Sequence, residues 1–328
     1  QVTVGARWFK FEEDFSQFFA FPLADTVYGG APPDSIFPVD VSEGDIDDDD
    51  VIYKFNTSYD FNDELMAFLT ISEGYRLGGV NPITPCSEDL GGQVCALPSE
   101  LLIKSDTTTN YELGMRSQWG DSVIFNGSVY YIDWEDIQVS DVTETGGVPI
   151  ITNGSSARSM GVEMSGQWYI TEAFSMLGSY AYTNAELTDD APGLVGGIDG
   201  QDGDRLPGSP EHQAYLAMNY SMPLSNGSEL DFDWSMTFTS DVITKAGERD
   251  NGEELSSYAL HNVSTTWFKD AWRVTLYADN VFDKYAETGV RDDFSQIRQI
   301  NGFDLRRYYH NLIRPRQVGL RFVYNFDG

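Results

Sequence analysis

Positively charged residues are scarce in this sequence. Its 328 residues include 20 lysines and arginines against 52 aspartates and glutamates, which gives a formal net charge of −32. Nucleic-acid binding requires clustered positive charge to neutralise phosphates, so this balance argues against a nucleic-acid partner. The acidic excess is typical of a hydrated surface or of a lumen that attracts cations. Simple solubility in an acidic or salty habitat is the plainer explanation.

Long hydrophobic runs are also absent. A membrane-spanning helix requires about 20 consecutive, mainly apolar residues, and no stretch of this sequence approaches that length, which excludes a helical membrane protein. The first ten residues have the pattern of a strand and lack the charged and apolar regions of a signal peptide. The sequence therefore predicts that a leader has been removed or that the chain begins partway through a longer protein.

Cysteine is nearly absent. The two cysteines, Cys86 and Cys95, lie in the segment CSEDLGGQVC. This spacing favours a disulfide that closes a short loop in an oxidising compartment, with two unpaired thiols as the alternative. A zinc site is a poor alternative because no third cysteine and no nearby histidine completes the ligand set. We expect no metal site and no cofactor.

Catalytic motifs are missing as well. The three histidines, His212, His261 and His310, lie far apart, and no nucleophile elbow, metalloprotease motif or phosphate-binding loop occurs. His261 near Ser264 is a weak candidate for a lipase-like site, but a nucleophile needs its base and an orienting group together. We predict that the chain is not an enzyme.

Alternation of apolar and polar residues is the strongest positive signal. Between Leu230 and Thr239 every second residue is apolar, and the residues between them are Asp, Ser or Thr. The same pattern recurs in residues 272–279 and 318–326 and, less cleanly, in 123–133. A period of two predicts strands with one apolar and one polar face.

Strand length and loop asymmetry distinguish a membrane barrel from a soluble sandwich, whose strands also alternate. Many runs extend for about ten residues or more, close to the length that crosses a bilayer at a tilt. Tight links alternate with long ones, as in outer-membrane barrels. The twelve predicted strands cover residues 3–18, 51–61, 64–79, 106–119, 122–139, 150–169, 172–187, 206–222, 229–244, 256–268, 271–287 and 312–326. The acidic run Asp47–Asp50 is expected at a solvated strand entry rather than in a calcium loop.

Seven segments carry a family resemblance, in order along the chain. They are SEGYRLGGVNP (72–82), TTNYELGMRSQW (108–119), YYIDWEDIQ (130–138), ARSMGVEMSGQW (157–168), RLPGSPEH (205–212), ADNVFDKYAE (278–287) and PRQVGLRFVYNF (315–326). Together they resemble the C-terminal part of a TonB-dependent outer-membrane receptor. The resemblance implies an all-β fold, an antiparallel transmembrane β-barrel, with about twelve strands here as the C-terminal portion of a 22-stranded barrel. Residues 1–328 would then form one partial-barrel domain without a plug domain.

The resemblance also implies a location, a function and partners. Such receptors lie in the cell outer membrane, among its lipid and lipopolysaccharide, and take up a scarce solute such as a ferric siderophore, another metal chelate, a vitamin or an oligosaccharide. A plug closes the barrel, and an N-terminal region, not found in this sequence, contacts the TonB complex. The apolar stripe ending at Phe326 resembles the terminal strand signal that the barrel-assembly machinery recognises, although Asp327 and Gly328 follow it.

Arginines are concentrated in and beside the last long link, and aromatic residues in the first. The arginines are Arg291, Arg298, Arg306, Arg307, Arg314 and Arg316. Guanidinium groups bind carboxylates or phosphates through paired donors, so Arg291, Arg298, Arg306 and Arg307 are candidate ligands of an anionic solute. Pairing with loop carboxylates or lipopolysaccharide phosphates is the alternative. Tyr28 and Phe37 are candidates for stacking on a sugar, haem or catechol.

The segment NVFDKY has a structural interpretation. Asn280 and Asp283 are expected to cap a turn where a strand enters its loop, and Tyr285 to anchor at the membrane interface. Two other functions stay open from the sequence: a passive pore or translocator formed by a small closed barrel, and a soluble extracellular β-protein such as an adhesin.

Overall fold

One antiparallel sheet of twelve strands dominates the computed structural model, which describes residues 1–17, 42–83, 85–86, 95–145, 149–195, 198–249, 252–293 and 307–326. Each strand pairs with its neighbours in chain order. The strands are β1 Val2–Gln17, β2 Ser42–Asn62, β3 Leu65–Arg76, β4 Asp106–Trp119, β5 Val123–Glu135, β6 Ala157–Thr171, β7 Phe174–Leu187, β8 His212–Pro223, β9 Glu229–Thr239, β10 Tyr258–Lys269, β11 Trp272–Asp279 and β12 Gln317–Tyr324. The predicted all-β fold and its twelve strands are confirmed.

The apolar residues of neighbouring strands share one face of this sheet. Phe232 of β9 lies opposite Tyr220 of β8, and Leu276 of β11 lies opposite Leu320 of β12. Directly opposed residues point to the same side, so the alternation continues across the sheet. Leu276 is 56 % exposed and Leu320 55 % exposed. Other exposed residues of this apolar face are Val4, Tyr53, Phe55, Leu113, Val129, Val263 and Phe322.

Aromatic residues border the apolar face at the end where the connections are short. Trp272 and Tyr324 lie opposite each other, with ring centres 4.8 Å apart. Trp119, Trp168 and Trp267 hold equivalent places on β4, β6 and β10. Such a row is typical of the aromatic girdle of an outer-membrane barrel, where amphipathic rings lie at headgroup level.

The two ends of the sheet differ in their connections, as predicted. At one end the links are short, at residues 63–64, 120–122, 172–173, 224–228 and 270–271. At the other end each described long loop contains a small two-stranded sheet. These sheets pair Gly79–Val80 with Leu102–Ile103, Gln138–Val142 with Pro149–Asn153, Ala191–Val195 with Ile198–Gly200, Val242–Ile243 with Glu254–Leu255, and Glu287–Asp293 with Arg307–Leu312. A short helix, α1 (Pro98–Leu101), and a 3-10 turn (Ala246–Glu248) complete the loops.

Several strand ends differ from the predicted ones. β2 begins at Ser42 rather than at residue 51, because the acidic run pairs in register with β1 and the Trp8 indole donates a 3.3 Å hydrogen bond to Asp49. β5 and β11 end earlier than predicted, before Asp136 (φ 53°) and Asn280 (φ 49°), whose left-handed backbone breaks an extended strand. The remaining predicted residues of these runs lie in the loop sheets or in the turns that lead to them.

The main sheet has two edges within the described residues. β1 pairs only with β2, and β12 pairs only with β11, so these twelve strands do not close on themselves. Two small apolar clusters lie in the long loops and at the strand ends that adjoin them. One contains Ile137, Ala157, Leu187 and Ala191, and the other contains Ile83, Ala96 and Ile150. Among the described residues, no helix is long and apolar enough to cross a membrane.

Candidate ligand-binding mouth and lumen

The polar face of the sheet carries an open groove of about 520 Å³ between β3 and β9. Strand alternation places its side chains opposite the apolar rows. The polar-face residues that line it include Phe68, Glu112, Arg116, Asn126, Glu163, Ser165, Ser179, Gln213, Tyr215 and Thr239. Hydroxyl, amide and charged groups of this kind are suited to a water-filled or protein-filled lumen.

Charged groups in the groove have no ionic partner among the described residues. The Arg116 guanidinium lies 5.4 Å from the centre of the Phe68 ring, a cation–π contact. No ion pair joins Arg116, Glu112 or Glu163 to another described residue. These groups remain available to charges on a solute or on a segment that fills the lumen.

A glycine on the polar face of the sheet permits a contact across three strands. The Tyr130 hydroxyl of β5 lies 2.9 Å from the Thr183 hydroxyl of β7. Gly161 of β6 lies between them, and a Cβ atom there would be 2.7 Å from the Tyr130 oxygen and 2.0 Å from the Tyr182 carbonyl oxygen. Only glycine lets the tyrosine cross the strand, which explains the glycine of the ARSMGVEMSG segment.

At the end of the sheet that carries the long loops, hydrogen bonds join the loop that follows β3 to the loop that follows β5. The buried Asn81 amide donates to the carbonyl oxygens of Glu100 (2.7 Å) and Ile151 (2.6 Å), and its oxygen accepts from the Ile151 amide at 2.8 Å. Arg76 forms a salt bridge with Asp106, which also accepts from the Gln138 backbone at 3.1 Å. Each side chain therefore connects loops distant in sequence.

A disulfide joins Cys86 to Cys95 in the loop that follows β3, with the Cα atoms 4.9 Å apart. Cys95 is fully buried. Thr145 of the neighbouring loop donates a hydrogen bond to the Cys95 carbonyl oxygen, and its hydroxyl lies 3.4 Å from each sulfur. The disulfide therefore closes the loop that follows β3 at the point where Thr145, from the loop that follows β5, contacts it.

Two arginine–aspartate pairs join the loop that follows β7 to the loop that follows β9. Arg205, from the RLPGSPEH segment, donates to Asp241 at 2.9 Å, and Arg249 donates to Asp204 at 2.5 and 2.9 Å. These hydrogen bonds hold the pKa values of both Asp204 and Asp241 below the ordinary value for aspartate. Gly247 (φ 56°) faces Asp204 so closely that a Cβ atom would lie 2.4 Å from its carboxyl group, so a side chain there would displace the pair.

The predicted capping turn is present after β11. The Asn280 side chain accepts from the Lys284 amide at 2.8 Å and donates to the carbonyl oxygens of Lys284 (2.9 Å) and Arg314 (3.0 Å). Asp283 accepts from the Arg316 amide at 2.8 Å. Asn280 and Asp283 both have positive φ, at 49° and 52°, a conformation that Asn and Asp tolerate. The turn therefore fixes the start of the last loop against the start of β12.

Residues 1–281 match the family model described as TonB dependent receptor-like, beta-barrel. The chain belongs to this TonB-dependent receptor family. Its members are receptors of the outer membrane of Gram-negative bacteria, so the apolar face lies against lipid and the polar face is the lumen wall. The described part of the chain consists of barrel strands and their connections and contains no plug domain.

Solved structures of TonB-dependent receptors share the fold. The ferric yersiniabactin uptake receptor FyuA of Yersinia pestis is 19 % identical, with a TM-score of 0.68 over 88 % of this chain and 39 % of that one. The siderophore receptor PiuA of Acinetobacter baumannii is 16 % identical, with a TM-score of 0.71 over 98 % of this chain and 40 % of that one. The chain therefore spans about 40 % of the length of these relatives.

Most of the predicted ligand residues fall outside the described part of the receptor. Tyr28, Phe37, Arg298 and Arg306 lie there, and their predicted role stays a prediction. Arg291 and Arg307 both lie in the last loop hairpin, where Arg291 is opposite Tyr309 and Arg307 is opposite Asp293. The backbone thus places these two positions on one hairpin at the mouth.

Other residues of the site were not singled out from the sequence. Glu112, Arg116 and Glu163 are charged residues at lumen-facing positions of long strands, and that register is a signal available from alternation alone. Arg205 contacts Asp241 and Arg249 contacts Asp204, in each case on another loop, and no local sequence pattern predicts such contacts. Among the described residues, no group of three or more His, Cys, Asp or Glu side chains has the arrangement of a metal site.

Proposed function

We propose that this chain forms part of the wall and mouth of a TonB-dependent receptor that takes up a scarce solute across the outer membrane. The observation that carries the proposal is the polar lumen wall, where Arg116, Glu112 and Glu163 have no ionic partner among the described residues, beneath loops that bond to one another. A wall of this kind suits a barrel that holds a solute above a plug. A soluble sandwich would instead bury its apolar rows between sheets.

We further propose that the solute is a ferric siderophore, another metal chelate, a vitamin or an oligosaccharide, and that Arg291, Arg298, Arg306 and Arg307 contact it. FyuA is described as a ferric yersiniabactin uptake receptor and PiuA as a siderophore receptor, which supports the first class. Arginines at a mouth would bind the carboxylate or catecholate groups of such a chelate through paired hydrogen bonds. Tyr28 and Phe37 would stack on its flat parts.

The test uses the full-length receptor in cells grown with a panel of radiolabelled solutes from these four classes. We expect one solute to accumulate in the periplasm, and its accumulation to stop when the TonB protein is deleted or the proton gradient is collapsed. Uptake that persists without TonB would indicate a passive pore. Failure of every solute to bind the purified receptor would contradict the receptor function itself.

The arginines are tested in the same system. Arg306→Ala combined with Arg307→Ala should weaken solute binding about tenfold or more, because charged hydrogen bonds each contribute about 1.5–3 kcal/mol, while heat-modifiable migration stays normal. Lys269→Ala, at a short turn on the opposite end of the sheet, is the matched control and should bind as the wild type does. Unchanged binding in the double variant would remove these two residues from the site.

A further inference from the structure

A cluster of cations and aromatic rings lies where the last loop meets the barrel. It consists of Phe282, Lys284, Tyr285, Arg314 and Arg316, here called the outer basic patch. Phe282 is 71 % exposed and Tyr285 is 65 % exposed, and the three cations are exposed as well. The patch is built from two chain segments, 282–285 and 314–316. The Asn280 side chain holds them together through its hydrogen bonds to the backbone of Lys284 and to the Arg314 carbonyl oxygen. In a chain this acidic, such a group of cations is unusual.

The three cations have no carboxylate partner among the described residues. Among these residues the Arg316 guanidinium donates only to the Val281 carbonyl oxygen, at 3.3 Å, and no ion pair involves Lys284 or Arg314. The two acids closest to Lys284 in sequence have other partners: Asp283 accepts from the Arg316 backbone, and Glu287 accepts from Tyr285 and lies 3.1 Å from the His310 ring nitrogen Nδ1. The mouth arginines contrast with this, because Arg76, Arg158, Arg205 and Arg249 each pair with an acid.

The patch lies just beyond the lipid-facing band. On β11 the outward residues run from Trp272 to Ala278, which is about 20 Å along the strand at about 3.3 Å per residue. The apolar band of such barrels is about 25 Å tall, and at a strand tilt of about 40° this corresponds to about 33 Å along a strand, or about ten residues from Trp272, which reaches the turn at Phe282. Phe282 contacts the His261 ring edge-on at 5.0 Å, and His261 lies opposite Met236 in the apolar rows. Phe282 is therefore on the outward face, at the level of the outer headgroups.

We propose that the outer basic patch binds the phosphate groups of lipopolysaccharide in the outer leaflet. Lys and Arg side chains bind phosphate by charge-assisted hydrogen bonds, and basic groups beside a membrane attract anionic lipids. Phe282 and Tyr285 would lie among the acyl chains and sugars next to those phosphates. The inference rests on the outer-membrane location of the family and not on the identity of the solute.

The test measures lipid binding by the full-length receptor purified in mild detergent. Diphosphoryl lipid A is added, and bound lipid is counted by native mass spectrometry. Lys284→Ala combined with Arg314→Ala should weaken binding about 30-fold, the equivalent of about 2 kcal/mol for two cations at about 1.4 kcal/mol per tenfold. Arg316 is kept because it also bonds to the turn. Lys104→Ala combined with Lys269→Ala removes the same charge elsewhere and should bind as the wild type does.

Two further arms identify the chemistry. Lipid A stripped of phosphate should bind the wild type as weakly as intact lipid A binds the double variant. Phosphatidylglycerol, with one phosphate, should bind at least tenfold more weakly than lipid A. Wild-type binding by the double variant overturns the proposal, as do equal loss in the control or equal binding of phosphate-free lipid A. Equal binding of phosphatidylglycerol would overturn the assignment to lipopolysaccharide. Solute uptake should be unchanged in the double variant, so this test is independent of the proposed function.

Discussion

The Tyr130 hydroxyl lies 2.9 Å from the Thr183 hydroxyl, and the strand between them carries Gly161 at the crossing point. This contact joins three strands of the lumen wall through one side chain. It also explains a glycine in the middle of a strand, where glycine ordinarily lowers stability by weakening backbone order and packing. The wall is therefore shaped by close approach of side chain to backbone as well as by its hydrogen-bond ladder.

Replacement of that glycine should damage the wall. Gly161→Ala places a Cβ atom against Tyr130 and the Tyr182 carbonyl, so we expect a loss of stability of about 1–3 kcal/mol from overpacking and a lower yield of folded barrel. Tyr130→Phe removes only one hydrogen bond and should cost about 0.5–1.5 kcal/mol. Urea unfolding followed by heat-modifiable migration measures both, and equal stability of Gly161→Ala and the wild type would show that the crossing is not tight.

The lipid-facing assignment predicts different effects of a new charge on the two faces of β9. Phe232→Asp places a charge against lipid and should impair assembly, with a cost somewhat below the about 2–4 kcal/mol of Arg or Lys at mid-bilayer. Ser235→Asp, on the same strand but facing the lumen, is the matched control and should assemble normally. The amount of folded receptor in outer membranes reports the difference. Normal assembly of Phe232→Asp would mean that this position does not meet lipid.

The loop disulfide should stabilise the mouth and not the barrel. Cys86→Ser combined with Cys95→Ser removes a closure of a short loop, worth about 2–3 kcal/mol in the unfolded-chain entropy account, from a hairpin packed against Thr145. We expect faster protease cleavage in residues 77–105, with unchanged barrel assembly. The Thr145→Val variant, which keeps the disulfide but loses the hydroxyl contacts to the Cys95 carbonyl oxygen and to both sulfurs, should be cleaved at an intermediate rate. Failure of the barrel to assemble would contradict a local role.

Acid should weaken the contact between the loop that follows β7 and the loop that follows β9. The pKa values of Asp204 and Asp241 are lowered by Arg249 and Arg205. Their contribution is therefore complete above the ordinary aspartate value of about 3.9 and is lost as the pH falls through the lower value of the folded protein. Hydrogen exchange of residues 201–208 should accelerate below about pH 4, relative to barrel strands. Asp204→Asn should exchange fast already at neutral pH, and an equally protected Asp204→Asn would exclude the pair as the cause.

The strands could be predicted because the alternation of apolar and polar residues is visible in the sequence alone. The run from Leu230 to Thr239 forms β9 with both faces as predicted. The start of β2 was missed because consecutive aspartates have low β propensity, and here they are held by pairing with β1. The breaks at Asp136 and Asn280 depend on backbone angles, and the Arg205–Asp241 pair depends on how two loops meet. Tertiary contacts decide such features, and local patterns do not contain them.

The central claim is that the apolar rows contact lipid while the polar rows contact water or a plug. A spin label placed in turn at each position from 230 to 239 of the membrane-embedded receptor tests it directly, through collision rates with lipid-soluble oxygen and with a water-soluble nickel complex. We expect oxygen accessibility to peak at every even position, from Leu230 to Phe238, and to be low at the odd ones. Even positions shielded from both reagents, as in a dry core between two sheets, would contradict the account.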